Sequence, residues 1–297
     1  MKALTVQVPG KVNLSLDVVG RRPDGYHLLS TIMQAVAVHD ELRIEIVTPE
    51  HGICLSTDQE VLEIDEHNTC HHAARAFLEA AGITDGVRIH LSKRIPIAAG
   101  MGGGSADAAG VLFGLNRLYP GRLDADTLHA LGVGIGADVP YCLIGGTALC
   151  EGIGEYVSPL TPFAGRPAIL VKPIYGVSTA WVYAHLDRDN LGVRPDNARL
   201  IRAMEAGDLR QMAATAGNVL ESVTVSAYPL LTQIKLWLQE AGAGFAAMSG
   251  SGPTVFGLFD DIEQRDKAAT WLDSCLGEAG HVLRTETVGY GPRLADA

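Results

Sequence analysis

The chain has 297 residues, 47% of them hydrophobic and 19% charged, which is enough for one large or two ordinary globular domains. Its formal net charge of −11 argues against a general nucleic-acid-binding or anionic-membrane-binding surface, because either needs a basic face. Five cysteines without a Cys-x-x-Cys spacing favour reduced thiols over a disulfide framework.

Targeting and metal signals are also missing from the sequence. The beginning of the chain has no signal-peptide pattern, and no stretch approaches 18 unbroken apolar residues. The neighbouring His71 and His72 stand on a predicted helix, where adjacent side chains point in different directions and make a poor metal pair. We therefore expect a cytoplasmic protein with no membrane contact and no structural zinc.

The first half of the chain mixes strands and helices. Apolar and polar residues alternate at 4–8, 12–18 and 42–47, which predicts three half-buried strands. A helix is predicted from Thr69 to Ala81, ending at Gly82, and a strand follows at 87–92. After a glycine-rich run, helical spacing resumes up to about Tyr119, and another helix is predicted at about 124–132.

The glycine-rich run at 96–110 is the most informative stretch of the sequence. Gly100, Gly102, Gly103 and Gly104 precede Ser105, which we predict to be the N-cap of the following helix. Free N–H groups and the helix dipole would then converge on one point, which suits a phosphate group. No lysine follows the run as a Walker A loop requires, and the third glycine of a Rossmann fingerprint is missing. The alternative is a flexible loop before an ordinary helix.

The second half begins after a link that is rich in proline and glycine, at 159–167. Strands are predicted at 168–172, 245–248 and 254–259, and helices at 179–186, 198–206, 209–216, 230–241 and 262–275. The pattern indicates an α+β protein with two domains that meet near residue 160. We place the domains at 1–158 and 159–297.

Three motifs in order resemble those of the GHMP kinase superfamily. They are Pro9-Gly10-Lys11-Val12-Asn13, the glycine run with Ser105, and Met248-Ser249-Gly250-Ser251-Gly252-Pro253-Thr254. The resemblance implies an N-terminal domain like domain 2 of ribosomal protein S5 and a ferredoxin-like α+β C-terminal domain. It also implies that the third motif is a turn near the active site rather than a second ATP loop.

Within that superfamily, the segment Arg22-Pro23-Asp24-Gly25-Tyr26-His27 resembles a signature of the 4-diphosphocytidyl-2-C-methyl-D-erythritol kinase family. Gly136-Ala137-Asp138-Val139-Pro140 is also typical of it. The resemblance implies ATP-dependent phosphorylation of the 2-hydroxyl of that compound in non-mevalonate isoprenoid synthesis. Three positions depart from the family pattern without removing a reactive group: Gly10 replaces alanine, Met101 replaces leucine and Ala106 replaces serine.

The resemblance assigns roles to particular residues. Asp138 would be the catalytic base, with the Lys11 ammonium beside it; their alternative readings are a turn residue before Pro140 and a solvated lysine. The residues expected to bind ATP are Pro96, Ile97, Ala98, Ala99, Gly100, Met101, Gly102, Gly103, Gly104, Ser105 and Ala106. Those expected to bind the substrate are Asn13, Tyr26, His27, Thr179 and Tyr183, with Tyr183 opposite Tyr26 unless it belongs to a helix core.

The expected co-substrate is ATP with Mg²⁺, and no protein ligand of the metal is identifiable. Ser105 would contact the β-phosphate or the metal. The expected partners are ATP and a cytidine-diphosphate-linked methylerythritol, not nucleic acid or membrane, and we expect a monomer or weak homodimer. Two alternatives stay open: another GHMP kinase, acting on homoserine or mevalonate, and a non-catalytic nucleotide-binding protein.

Overall fold

The computed structural model describes residues 2–187 and 189–295, and in this part of the chain α-helices and β-strands alternate without any helix long and apolar enough to cross a membrane. The strands are β1 Ala3–Arg21, β2 His27–Val47, β3 Ile53–Thr57, β4 Gly86–Ser92, β5 Thr147–Gly152, β6 Tyr156–Pro159, β7 Pro167–Pro173, β8 Phe245–Met248, β9 Val255–Leu258, β10 Gly280–Glu286 and β11 Arg293–Leu294. The helices are α1 Thr69–Ala81, α2 Gly103–Leu118, α3 Ala125–Ile135, α4 Val139–Ile144, α5 Thr179–Ala184, α6 Asn197–Ala206, α7 Leu209–Thr215, α8 Glu221–Ala227, α9 Leu230–Glu240 and α10 Ile262–Leu276.

Helix ends follow local signals where these are strong. The side chain of Asn68 accepts a hydrogen bond from the N–H of Cys70 at the start of α1, and the left-handed Gly82 closes that helix. The predicted bounds of α1 are therefore confirmed. Aspartates cap α3, α6, α7 and α10 in the same way, through Asp124, Asp196, Asp208 and Asp261.

The first sheet is built on two long antiparallel strands, β1 and β2. Its order is β11-β1-β2-β4-β3, and β5 extends it by pairing with both β2 and β6. The N-terminal half of β2 pairs with β5 and its C-terminal half with β4. Two strands therefore pair one after the other along the same edge of β2. The pairing of β1 with β2 shifts register at Pro9/Gly10 and again between Asn13 and Ser15. Such bulges re-aim the side chains beside them.

Helix α2 packs closely on the first sheet because glycines occupy two of its sheet-facing positions. A Cβ atom at Gly110 would lie 2.5 Å from Leu42 Cδ1, and one at Gly114 would lie 2.5 Å from Ile44 Cδ1. The backbone of α2 therefore rests directly on β2. This contact places the N-terminus of α2 above the middle of β1.

The second sheet has the strand order β10-β7-β9-β8, with antiparallel neighbours throughout. Numbered from β7, this is the 4-1-3-2 order of a ferredoxin-like βαββαβ unit, as predicted. The sheet is buried on both faces: Ala168 and Leu170 join one core cluster and Ile169 and Val171 the other. This explains why β7 reads as an unbroken apolar run.

The predicted boundary between residues 158 and 159 falls at the end of β6. Residues 288–294 nevertheless return to the first sheet: the N–H of Val288 donates to Ala35 O at 2.9 Å, and β11 pairs with β1. One core cluster also combines residues of both halves, including Val8 and Leu200. The division at 158/159 therefore stays a prediction about the chain, while the two sheets share a core.

Several elements were not predicted. They include α4, whose six residues begin with Val139-Pro140 and show no amphipathic repeat, and the first half of β2, where both faces are buried. The strands β3, β5, β6, β10 and β11 and the helix α8 were also missed. Most of these segments are short or are buried on both sides, so they lack the alternation with solvent that marks a strand; β10 has seven residues, most of them exposed or half-buried, and its sequence also lacks a clear alternation.

Candidate functional site

The glycine-rich run forms a tight loop that leads into α2. Gly100 and Gly102 have φ angles of +72° and +67°, in the left-handed region that favours glycine. Gly102 is the N-cap of α2, and the first helical hydrogen bond joins the N–H of Ala106 to Gly102 O at 2.8 Å. The expectation that Ser105 would be the N-cap is therefore wrong, because Ser105 is the third residue of the helix.

A helix that begins at Gly103, after a glycine N-cap, makes the loop more suitable for an anion than one capped by Ser105. The N–H groups of Gly103, Gly104 and Ser105 precede the first helical bond and have no intrahelical acceptor. A glycine N-cap has no side-chain oxygen to satisfy them, as a serine would. Three backbone donors and the positive end of the helix dipole are thus directed to the same place.

The third motif packs against the glycine loop. Ser249 Oγ donates a hydrogen bond to Gly100 O at 2.8 Å, and the N–H of Asn13 donates to Ser249 Oγ at 3.3 Å. A Cβ atom at Gly100 would lie 2.2 Å from Ser249 O, so nothing larger than glycine fits there. The turn at 249–252 therefore supports the loop from below and joins it to β1.

Lys11 and Asp138 meet beside the same loop. Lys11 Nζ lies 3.4 Å from Asp138 Oδ2, and the Lys11 side chain is only 6% exposed while that of Asp138 is 30% exposed. The N–H of Lys11 donates to Met101 O at 3.1 Å, which fixes β1 to the loop. Asp138 immediately precedes α4, yet its carboxylate makes no capping hydrogen bond, so it is free for another partner.

Asn13 lies two residues beyond Lys11 and so on the same face of β1. Lys11 Nζ donates to Asn13 Oδ1 at 2.7 Å, and Asn13 Nδ2 donates to Thr31 Oγ1 at 2.9 Å. Asn13 is buried, with 1% of its surface exposed. Its amide therefore links the lysine to β2.

The predicted substrate-binding residues line the other end of the site. Tyr26 follows a turn in which Arg22 N–H donates to Tyr26 O at 2.7 Å, and its side chain is 61% exposed. His27 and Tyr183 stack with ring centroids 5.0 Å apart and an interplanar angle of 21°. The hydroxyls of Thr179 and Ser251 are 2.9 Å apart. Tyr183 thus faces His27 rather than the ring of Tyr26, and burial raises the pKa of its phenol.

One cavity of about 740 Å³ joins these groups. Of the residues predicted from sequence, it is lined by Lys11, Asn13, Tyr26, His27, Pro96, Ile97, Ala98, Ala99, Gly100, Met101, Gly102, Gly103, Gly104, Ser105, Asp138, Thr179 and Tyr183. Ala106 does not line it, because its side chain is buried in the core beneath α2. The structure therefore brings the predicted residues together with that one exception, and their roles stay predictions.

Sequence reasoning missed a buried ionic cluster under the loop. Lys93 Nζ donates to Asp107 Oδ2 at 2.8 Å and also to Asp40, whose Oδ1 accepts from the N–H of Ile95 at 2.8 Å. Burial raises the pKa of the Asp107 carboxyl well above its usual range, against the pull of the Lys93 ammonium. Burial lowers the pKa of Lys93, but the two carboxylates outweigh it and the net shift is upward.

This cluster fastens the start of the glycine loop to β2 and α2. Lys93 and Asp107 flank the loop in sequence, and this position is the signal from which the cluster could have been predicted. Asp40 carries no comparable signal, since it lies in the middle of a strand that was only partly predicted. Within the described residues, no group of three or more His, Cys, Asp or Glu side chains is arranged to hold a metal ion.

Comparison with known proteins gives two family matches. The model of the GHMP kinases N terminal domain matches residues 68–146, and that of the GHMP kinases C terminal domain matches residues 200–274. Among solved structures, a homoserine kinase from Cytophaga hutchinsonii superposes with a TM-score of 0.81 at 21% identity, over 99% of this chain and 98% of its own. At that identity the similarity shows the fold alone, and it confirms the two-domain GHMP kinase fold.

More similar relatives carry a more specific name. The 4-diphosphocytidyl-2-C-methyl-D-erythritol kinase of Clostridium kluyveri is 45% identical over 285 residues, covering 96% of this chain and all of the relative. That of Lachnoclostridium phytofermentans is 44% identical, covering 90% of this chain and 92% of the relative. A crystal structure of 4-(cytidine 5′-diphospho)-2C-methyl-D-erythritol kinase superposes with a TM-score of 0.81 at 34% identity, over 96% of this chain and 100% of its own. The chain therefore belongs to the GHMP kinases and, within them, to the 4-diphosphocytidyl-2-C-methyl-D-erythritol kinase family.

Proposed function

We propose that this protein transfers the γ-phosphoryl group of ATP to the 2-hydroxyl of 4-diphosphocytidyl-2-C-methyl-D-erythritol, a step in the non-mevalonate synthesis of isoprenoid precursors. The observation that carries the proposal is the meeting of Lys11 and Asp138, 3.4 Å apart, beside the glycine loop. Phosphoryl transfer to an alcohol needs an oriented hydroxyl, a group that takes its proton, and positive charge near the transferring group. In this corner of the cavity Asp138 would accept the proton and Lys11 would supply the positive charge, while the hydroxyl comes from the substrate.

Asp138 is the group that would accept the proton of the substrate hydroxyl. Its carboxylate is partly exposed to the cavity and is not used for capping α4. Lys11 would stabilise the negative charge that develops on the attacking oxygen and on the transferring phosphoryl group. Because the lysine is nearly buried and held by Asn13, its charge is in place before the substrates bind.

The glycine loop would hold the ATP phosphates. Its three uncommitted N–H groups stand on the same side as Lys11, since a Cβ atom at Gly102 would lie 3.0 Å from Lys11 Cε. Phosphates bound at the start of α2 would therefore present the γ-phosphoryl to Lys11 and Asp138. This geometry also favours a catalytic protein over a nucleotide-binding protein without activity.

The cytidine end of the acceptor would be recognised by the aromatic side of the cavity. Tyr26 is exposed and offers a ring face for stacking, while His27 and Tyr183 form a stacked pair behind it. Base–aromatic stacking contributes roughly 1–3 kcal/mol per base. Thr179 and Asn13 line the part of the cavity that would hold the rest of the substrate.

We also propose that Mg²⁺ enters with ATP rather than residing in the protein. Magnesium keeps several waters and takes few protein ligands when it accompanies a nucleotide, and it needs no dedicated cage. The Ser105 hydroxyl lines the cavity at the start of α2 and would contact the β-phosphate or the ion. Treatment with a chelator should abolish turnover and added Mg²⁺ should restore it; activity that persists in the chelator would contradict this part of the proposal.

The direct test is an ADP-release assay with purified protein, ATP, Mg²⁺ and three alternative acceptors. We expect turnover with 4-diphosphocytidyl-2-C-methyl-D-erythritol and none above background with homoserine or mevalonate. Turnover of homoserine or mevalonate alone would assign another GHMP kinase activity. Nucleotide binding with no turnover of any acceptor would support a non-catalytic protein.

The partners we propose are these small molecules, with no nucleic acid or membrane. A net charge of −11 opposes binding to either polyanion. We further propose a monomer or weak homodimer. Sedimentation velocity over a range of protein concentrations distinguishes these from a stable higher oligomer.

A further inference from the structure

We propose that Thr31 is a positioning residue for phosphoryl transfer: its hydroxyl orients the Asn13 amide, and the amide holds the Lys11 ammonium beside Asp138. The inference rests on the proposed function, since it concerns the groups to which that function assigns the chemistry. Thr31 is buried in β2 at the wall of the cavity, and its hydroxyl is already hydrogen-bonded to Ser15 O and Asn13 Nδ2.

The hydrogen bonds form an ordered relay. Thr31 Oγ1 donates to Ser15 O at 2.5 Å and accepts from Asn13 Nδ2 at 2.9 Å. Asn13 Oδ1 accepts from Lys11 Nζ at 2.7 Å, and Lys11 Nζ lies 3.4 Å from Asp138 Oδ2. Each group in the relay except Asp138 is buried, so a lost partner is costly to leave unreplaced.

The direction of the hydrogen bond between Thr31 and Ser15 determines the orientation of the Asn13 amide. Because the Thr31 hydroxyl spends its only proton on Ser15 O, the oxygen can only accept from Asn13. The Asn13 amide must therefore turn Nδ2 toward Thr31 and Oδ1 toward Lys11. The flipped amide would set two donors, Nδ2 and the ammonium, against each other and would push Lys11 away from Asp138.

The sheet geometry explains why the relay exists at this place. Thr31 lies two residues before Met33, which pairs with Asn13, so Thr31 is on the same face of the sheet as Asn13 and Lys11. The register shift between Asn13 and Ser15 turns the Ser15 carbonyl toward Thr31. A regular ladder would use that carbonyl in strand pairing.

Removal of the hydroxyl should reduce kcat more than it changes the KM for ATP. In T31V an isosteric methyl replaces the hydroxyl, and Asn13 Nδ2 loses its acceptor in a buried place. We expect kcat to fall by up to about 100-fold, because a misplaced Lys11 ammonium stabilises the transferring charge less well. The KM for ATP should stay within about twofold, since the N–H groups of the glycine loop are not part of the relay.

Two variants separate positioning from a general loss of packing. T31S keeps the hydroxyl and should retain kcat within about threefold of the unchanged protein, even though it removes a buried methyl. T215V removes a comparably buried hydroxyl, whose Oγ1 donates to Gln211 O in α7, away from the cavity, and should leave kcat unchanged. Loss of kcat in T31S, or an equal loss in T215V, would overturn the inference.

A double-mutant cycle with N13A gives the sharper readout. If Thr31 acts through Asn13, T31V should change kcat less than about twofold once the N13A substitution is present. If the two effects multiply, Thr31 acts by another route and the inference is wrong. Should T31V fail to fold, the same cycle is measured with T31A.

The assay also distinguishes failure of this inference from failure of the proposed function. If the unchanged protein turns over none of the acceptors, the proposed function fails. If it turns over 4-diphosphocytidyl-2-C-methyl-D-erythritol and T31V does so at the same kcat, the function stands and the role of Thr31 is refuted.

Discussion

Asp138 shows how much of the chemistry depends on the exposure of a single carboxylate. It is exposed enough to meet a substrate hydroxyl, yet its Oδ2 lies 3.4 Å from an ammonium that is itself almost buried. The same residue type at Asp40 and Asp107 is buried and committed to Lys93 and the loop backbone. Surroundings, and not residue type, separate a candidate base from structural carboxylates.

Replacement of Asp138 by asparagine should lower kcat about 10²- to 10⁴-fold, the usual contribution of a general base. The amide retains the shape of the side chain and a polar contact to Lys11, so the melting temperature should change little. Steady-state kinetics and thermal unfolding provide the measurements. The exposed Asp126, in α3, provides the control: D126N should leave kcat unchanged. A D138N variant with nearly full kcat would show that another group accepts the proton.

Replacement of Tyr26 by alanine should act on the acceptor alone. Loss of one stacking contact of about 1–3 kcal/mol predicts a roughly 5- to 150-fold rise in the KM for the cytidyl substrate. The KM for ATP should be unchanged, because the glycine loop lies at the other end of the cavity. Y26F should behave like the unchanged protein, and Y156A, at another exposed tyrosine outside the cavity, should have no effect. An equal rise in both KM values would argue against base recognition by Tyr26.

At the scale of elements, the glycine loop is held by contacts from three directions. The turn at 249–252 supports Gly100, the backbone of β1 binds Met101, and the Lys93 cluster anchors the residues before the loop. The donors of α2 are therefore oriented before a ligand arrives, which lowers the entropic cost of binding. The glycines alone would leave the loop flexible, but these three contacts hold it in one conformation.

Two alanine substitutions test this constraint. In G100A the new Cβ would lie 2.2 Å from Ser249 O at a φ of +72°, so the backbone must move; we expect a loss of at least about 1–2 kcal/mol in the free energy of unfolding and a loss of activity. In G10A the Cβ would lie 3.4 Å from the Ile95 side chain, an ordinary contact, so stability should be unchanged or higher by up to about 1 kcal/mol. Urea unfolding measures both. Equal stability of the two variants would contradict the close packing at Gly100.

At the scale of the whole molecule, the shared core controls the access of reagents to the thiols. Burial raises the pKa of Cys70 and Cys142 well above the usual range and raises that of Cys150 to about 12, whereas Cys54 is exposed. Only the thiolate reacts readily with alkylating agents.

We therefore expect native protein near pH 8 to be alkylated fastest at Cys54, and C54S to lose this fast phase. Cys70, Cys142 and Cys150 should react only in denaturant, since unfolding returns their pKa to the ordinary value and exposes them. Peptide mapping by mass spectrometry locates the labels. Native alkylation of Cys142 at the rate of Cys54 would contradict the burial that the fold imposes.

The sequence by itself determined the local elements and the list of candidate residues. The cap at Asn68 and the left-handed Gly82 specify α1, because these signals act between residues close in the chain. The order of the three motifs along the sequence indicates the family. The glycines at 100 and 102 also predict a sharp turn whose backbone can approach a ligand closely, independently of the surrounding structure.

Only the tertiary structure decided how these residues act together. Lys11 lies in β1, Thr31 in β2 and Asp138 just before α4. No local pattern predicts that Thr31 Oγ1 accepts from Asn13 Nδ2 or that the Asp138 carboxylate does not cap α4. The N-cap of α2 is Gly102 and not Ser105, and the helix and its loop are held by the packing of Gly110 and Gly114 on β2 and by the hydrogen bond from Ser249 to Gly100. Such contacts join residues distant in sequence, and their energies depend on burial that exists only once the chain has folded.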